Sequence, residues 1–88
     1  MATVHIPPQM QELTGGQAEV EAAGDSLRQV VDQLEASFPG FQDRLVRDEM
    51  VAPGLAVSID NVVTSRGLFA DVKPDSVIHI IPAISGGL

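Results

Sequence analysis

Two adjacent glycines near the end of the chain are the residues whose type and spacing could most directly support chemistry. The sequence ends in PAISGGL, so Gly86 and Gly87 follow a run of strand-forming residues, and Leu88 follows them. Glycine has no Cβ, and a Gly-Gly pair after a strand therefore keeps the segment loose. Loose termini are common, so the pair fits either a working tail or an ordinary chain end.

The other side chains that could carry chemistry form no recognisable catalytic or metal-binding pattern. His5 and His79 are the only histidines, they lack His-x-x-x-His spacing, and the chain has no cysteine. The glycine-rich TGGQ at 14–17 lacks the Lys-Ser/Thr of a phosphate-binding loop. Ser26 is placed as a helix cap and has no base at a recognisable spacing. We therefore expect no metal site, no bound cofactor and no enzymatic activity.

The composition indicates one small acidic globular domain. The 88 residues include 12 acidic and 5 basic side chains, a net charge of −7. This balance argues against nucleic-acid binding, which depends on Lys and Arg at phosphates. The acidic surface suits a partner with a basic docking face, or serves solubility alone. No apolar stretch is long enough to span a membrane and no secretory leader is evident, so we expect a cytoplasmic protein.

Alternating apolar residues predict four strands. The first two, at 3–7 and 17–22, are expected to form a hairpin through the turn at 14–17. Further strands are predicted at 55–60 and 76–84, with an irregular stretch at 47–54 before the third and turns at Asp60-Asn61 and 72–76.

One amphipathic helix lies between the second and third strands. Ser26 and Gln29 have the spacing of a capping box, and Pro39-Gly40 ends the helix. The helix presents a single apolar stripe of Leu27, Val30, Val31 and Leu34. The order of elements predicts an α+β roll of the ubiquitin-like β-grasp type: a mixed sheet of four to five strands with one main helix on one face. We place this domain at 1–84 and a flexible Gly-Gly tail at 85–88.

The last strand is apolar on both faces. Ile78 and Ile80 are expected to face the helix, whereas Val77, His79 and Ile81 point the other way, with His5 on a neighbouring strand. One helix cannot cover both faces of the sheet. The second face is therefore either a partner-docking surface or a patch covered by loops or by another copy of the chain.

These stretches together resemble the ubiquitin-like sulfur carrier proteins of the ThiS/MoaD family. The similar segments are TVHIP, LTGGQAEVEAAGDSL, LEASFPGFQDRL and PDSVIHIIPAISGG, which extend from about Val4 to Gly87. TGGQ, GDSL and SV-x-x-I-x-P-A-x-x-GG look most like the CysO-type carriers of cysteine biosynthesis.

The resemblance implies that Gly87 is the site of reaction. In such carriers an E1-like adenylyltransferase/sulfurtransferase uses ATP to make an acyl-adenylate of the terminal glycine, and sulfur then replaces AMP to give a thiocarboxylate. Gly86 and Gly87 let the tail thread a narrow channel in the partner. A sulfur-accepting, cysteine-synthase-like enzyme is the implied recipient. The residues of the apolar outer patch, Val77, His79, Ile81 and His5, are then the expected docking residues.

Leu88 departs from the family pattern, because the active carriers end on the glycines. Either a JAMM-type zinc protease removes Leu88, as in some relatives, or this protein is not a carrier. The stretch 55–69 also lacks the asparagine-rich pattern usual in this strand of the family. The alternatives are a molybdopterin synthase small subunit, a ubiquitin-like modifier conjugated through Gly87, and an interaction domain whose glycines are incidental.

Overall fold

The computed structural model describes residues 1–64 and 66–82. Two 3-10 helices lie at Pro8–Thr14 and Gly67–Phe69. The remaining elements are β1 (Ala2–His5), β2 (Glu19–Ala22), α1 (Leu27–Ser37), α2 (Phe41–Leu45), β3 (Val46–Arg47), β4 (Met50–Val51), β5 (Leu55–Ile59), β6 (Val62–Val63) and β7 (Val77–Pro82). Among these residues no helix has the length and apolar character needed to cross a bilayer.

The main sheet is mixed and has five strands in the order β2-β1-β7-β5-β6. β1 and β7 run parallel at its centre, and the other neighbours pair antiparallel. β3 and β4 form a separate two-stranded sheet. The longest helix, α1, lies between β2 and β5 in the chain. The arrangement is the predicted one, a mixed sheet with one main helix.

The inner face of the sheet packs against α1 and forms one core. Val57 of β5 lies opposite Ile80 of β7, and Val4 of β1 lies beside Ile78, so these four side chains share one face. Each of them is 5% exposed or less. The helix contributes the predicted stripe, Leu27, Val30, Val31 and Leu34, all buried. The register expected from the alternation in β7 is therefore confirmed.

The sequence signals at the start of α1 act as predicted. The hydroxyl oxygen of Ser26 accepts a hydrogen bond from the backbone N–H of Gln29 at 3.3 Å. The Gln29 side chain returns toward the chain entry, where its Oε1 accepts from the backbone N–H of Asp25 at 2.7 Å. This reciprocal pair satisfies backbone donors that the helix cannot satisfy internally.

The connection between β1 and β2 differs from the predicted simple hairpin. The two strands do pair antiparallel, but residues Pro8–Thr14 form a 3-10 helix between them. Pro8 stands at its start, where a missing N–H costs nothing, and Gly15 ends it in the left-handed region at φ 65°. Met10 and Thr14 are buried beneath it. Seven residues with only two buried side chains give no clear apolar period, which is why the sequence suggested only a turn.

Two short hairpins were also not predicted. The stretch 47–54, expected to be irregular, contains most of the β3–β4 pair, whose turn places Asp48 and Glu49 at positive φ. The predicted turn at Asp60-Asn61, also at positive φ, leads into a further edge strand, β6. Strands of two residues are too short for an alternation to be recognised, so only their turns leave a signal in the sequence.

Candidate docking surface

The outer face of the sheet, which points away from α1, brings the predicted docking residues together. Cross-strand pairing sets His5 of β1 beside His79 of β7, which in turn lies opposite Ser58 of β5. Val77 and Ile81 stand on either side of His79 along β7, where alternation puts them on the same face. We use "outer face" below for the surface formed by Val77, His79, Ile81, His5, Ser58 and their neighbours on β2 and β6.

This face is apolar and accessible at the centre of the sheet. Val77 is 38% exposed and Ile81 is 40% exposed, although β7 is paired on both sides. Val63 on the edge strand β6 lies opposite Ser58 and is 61% exposed. Ser58 itself is only 7% exposed, so it contributes little accessible area to this face. Exposed aliphatic side chains grouped on a central strand are typical of a surface that another protein covers.

The two histidines are in direct contact at the middle of the outer face. Their ring centroids are 4.3 Å apart, and the ring planes are tilted by 55°. Nδ1 of His5 is 3.9 Å from a carboxylate oxygen of Glu19 on β2. A row of polar side chains therefore crosses the sheet between the aliphatic positions.

The border of the outer face along β2 is acidic. Glu19 and Glu21 lie opposite His5 and Thr3, and both glutamates are exposed. The five strands of the main sheet contain no lysine or arginine in the described part of the chain. A partner with basic side chains beyond an apolar centre would match this surface and be steered toward it.

Asp60 holds the beginning of β7 in place beneath this surface. Its carboxylate accepts hydrogen bonds from the backbone N–H of Val77 at 2.9 Å and from the hydroxyl of Ser76 at 2.8 Å. The bond from Val77 has the larger influence and that from Ser76 the smaller. Both favour the charged carboxylate, so they lower the pKa of Asp60 below its usual value. The clamp joins the β5–β6 turn to β7 and so fixes one end of the outer face.

Part of the predicted site lies outside the residues that the structure describes. Gly86, Gly87 and Leu88 lie outside the described residues, as does the end of the strand predicted at 76–84. Sequence reasoning did not include Val63, Ser58 or the acidic border in the surface. The turn at Asp60-Asn61 was the available signal for Val63, because a two-residue turn between apolar residues predicts a returning strand.

Solved structures with similar folds include sulfur carriers. In the crystal structure of the Amycolatopsis orientalis BexX/CysO complex, one chain matches with a TM-score of 0.92 at 34% identity, covering 99% of this chain and 100% of that one. Mycobacterium tuberculosis CysO matches with a TM-score of 0.89 at 29% identity, covering 96% and 100%. Small archaeal modifier protein 1 from Methanosarcina acetivorans shares the fold at 19% identity, with a TM-score of 0.81 and coverage of 98% and 95%. The ubiquitin-like β-grasp fold is thereby confirmed.

Sequence comparison leads to the same family. The chain is 35% identical over 92 residues to the curated sulfur carrier protein CysO of Mycobacterium bovis, with 97% of each chain covered. The CysO of Mycobacterium tuberculosis matches with the same values. The model of the ThiS family matches residues 4–87, a span that includes both glycines of the tail. The resemblance in the sequence is therefore confirmed, and this chain belongs to the ThiS family.

Proposed function

We propose that this protein is a sulfur carrier of the CysO type, whose Gly87 carries sulfur as a thiocarboxylate once Leu88 has been removed. One observation carries the proposal: the family match covers residues 4–87, which include the Gly-Gly pair, and the identity to curated sulfur carriers extends over 97% of the chain. The likeness to a small archaeal modifier is confined to the fold, at 19% identity. The carrier function is therefore favoured over that of a protein modifier.

The chemistry takes place on the carrier and is performed by its partners. A carboxylate is a poor electrophile, so an oxygen of the Gly87 carboxylate first attacks the α-phosphorus of ATP and pyrophosphate leaves. A sulfide nucleophile then attacks the carbonyl carbon of the acyl-adenylate, where a C–S bond forms as the C–O bond to AMP breaks. The product is the thiocarboxylate. In this scheme the chain contributes the carboxylate and the recognition surface, and the activating enzyme binds the ATP.

The outer face supplies the recognition. An E1-like activating enzyme must hold the domain while the end of the chain reaches its nucleotide, and Gly87 follows the end of β7 by five residues in the sequence. The apolar side chains Val77 and Ile81 provide burial, and the glutamates of β2 provide an acidic border for a basic partner surface. His5 and His79 lie at the centre of the contact in this arrangement.

Two further partners complete the proposed cycle. A JAMM-type zinc protease removes Leu88, because the peptide bond to Leu88 leaves Gly87 without a free carboxylate to activate. A sulfur-accepting synthase related to cysteine synthase then takes sulfur from the thiocarboxylate. A relative of this chain has been crystallised in the BexX/CysO complex. That relative supports the view that carriers of this kind work by forming complexes with other proteins.

The docking role predicts a large effect of one charge on the outer face. In a chain ending at Gly87, Ile81→Asp should lower kcat/KM for adenylation by the cognate E1-like enzyme by about tenfold or more, because a carboxylate would be desolvated in the contact. Met50→Asp is the matched control. Met50 is also apolar and is 64% exposed, but it lies on β4, outside the main sheet. Pyrophosphate release with varied carrier concentration measures both.

Thermal unfolding of both variants should remain close to that of the parent, since both positions are exposed. Equal adenylation of the Ile81→Asp and Met50→Asp chains would contradict docking on the outer face. Failure of the parent chain ending at Gly87 to be adenylated at all would instead contradict the carrier function itself.

A further inference from the structure

The contact between the two histidines places two metal-binding groups side by side on a rigid part of the sheet. His5 and His79 are paired across the parallel strands β1 and β7, which are the central strands of the main sheet. Both side chains are partly exposed, and that of His5 is 38% accessible. Neither imidazole has a role in the core, and the proposed carrier chemistry makes no use of a histidine.

The spacing of the rings is compatible with a shared ion. Zinc–imidazole bonds are about 2.0–2.1 Å long, so two rings that share an ion hold their bound nitrogens within about 4.2 Å of each other. The ring centroids are 4.3 Å apart and the planes are tilted by 55°. The tilt shows that the rings are not stacked face to face. Binding would require the two side chains to rotate so that one nitrogen of each ring comes within this distance of the other.

Glu19 adds the feature that usually accompanies a metal-binding histidine. Such a histidine commonly turns its second ring nitrogen toward a carboxylate, which fixes the ring and makes it a stronger ligand. The carboxylate of Glu19 lies 3.9 Å from Nδ1 of His5, directly across the β1–β2 pair. This arrangement leaves Nε2 of His5 available to the ion.

The chemistry of the two donors limits which ion they take. Imidazole suits Zn²⁺, Ni²⁺ and Cu²⁺, whereas Mg²⁺ and Ca²⁺ prefer oxygen ligands. Within the described residues no group of three or more His, Cys, Asp and Glu side chains is arranged to hold an ion. The ion would therefore have two protein ligands, and water would complete its coordination.

We propose that His5 and His79 form a two-histidine chelating site for a divalent transition-metal ion on the outer face, with Glu19 as the residue that orients His5. The site belongs to this chain's own side chains and does not depend on the proposed carrier function. Its position between Val77 and Ile81 means that a partner seated on the outer face would cover the ion.

The test uses the full chain without a polyhistidine tag and Ni²⁺ as the probe, by titration calorimetry at neutral pH. We expect one ion per chain, with no binding of Mg²⁺ under the same conditions. His5→Asn and His79→Asn should each weaken Ni²⁺ binding more than Glu19→Gln, for which a loss of up to about tenfold is expected. Ile81→Ala, on the same face, should bind as the parent does. In NMR spectra, paramagnetic broadening should centre on β1 and β7.

The His79→Asn variant separates this site from the simplest competitor. An ion held by His5 together with the carboxylate of Glu19 would survive that change, and such survival would overturn the proposal. Absence of measurable Ni²⁺ binding to the parent chain would also overturn it. Both histidines are partly exposed, so the variants should fold as the parent does. A thermal unfolding curve like that of the parent then shows that any loss of Ni²⁺ binding comes from the missing imidazole.

Discussion

A chain ending at Gly87 should be adenylated by the cognate E1-like enzyme, whereas the full chain ending at Leu88 should be inert. While Leu88 follows Gly87, the carboxyl group of Gly87 is held in a peptide bond, and the branched leucine side chain would clash in a channel shaped for glycine. The two proteins differ only by Leu88, which lies outside the residues that the structure describes. ATP-dependent pyrophosphate release with the same enzyme preparation compares them directly. Addition of a sulfide source should then convert only the shorter chain to the thiocarboxylate.

A single substitution provides the matched control for the tail. Gly87→Ala in the shorter chain retains a free carboxylate but adds a Cβ at the reacting residue, so most of the activity should be lost through steric exclusion. The thermal unfolding midpoint should not change, because the core formed by the described residues extends from Ala2 to Ile80. Equal activation of the long and short chains would show that Leu88 needs no removal. If neither chain were activated, the carrier function would lose its main support.

Ile80→Ala should destabilise the domain by roughly 2–5 kcal/mol, the usual cost of a large-to-small change in a core. Ile80 is 5% exposed and lies on the inner face opposite Val57. Small domains have a total unfolding free energy of about 5–15 kcal/mol, so this one change removes a large part of it. Urea unfolding with a common m-value measures the difference.

The adjacent residue supplies the control for this prediction. Ile81→Ala removes the same atoms from the same strand, but Ile81 is 40% exposed and points to the outer face. Its cost should stay near or below about 1 kcal/mol, as for most changes at exposed positions. An equal loss of stability for the two variants would contradict the assignment of one face to the core and the other to a partner.

The main architecture could be predicted because long elements leave repeated signals. The alternation through Val77–Pro82 identified the last strand and its inner face, and the stripe on α1 identified the covering helix. Ser26 marked the start of that helix through its cap. Each of these elements buries several side chains at a fixed period, so one residue that departs from the period does not hide the pattern.

The elements that were missed are short or depend on tertiary contacts. The 3-10 helix at Pro8–Thr14 buries only Met10 and Thr14, and β3, β4 and β6 have two residues each. No period can be recognised in two residues, and Glu49 stands where a glycine usually follows the aspartate of a tight turn. Their pairing depends on the fold around them.

The composition of the outer face was only partly predictable for the same reason. His5 and His79 were expected on neighbouring strands, but their contact at 4.3 Å depends on the parallel register of β1 and β7. The acidic border follows from the predicted pairing of β1 with β2, but its place at the edge of the outer face depends on β7 lying on the other side of β1. Registers between strands that are distant in the chain leave no local trace in the sequence.

The mass of the intact protein purified from its own cells tests the central claim most directly. We expect a fraction of molecules that end at Gly87, with one carboxylate oxygen replaced by sulfur. Treatment with an alkylating reagent should modify this fraction, because the chain has no cysteine and the thiocarboxylate would be its only strongly nucleophilic sulfur. A single species that retains Leu88, unmodified in cells that are actively making sulfur-containing metabolites, would contradict the proposed carrier function.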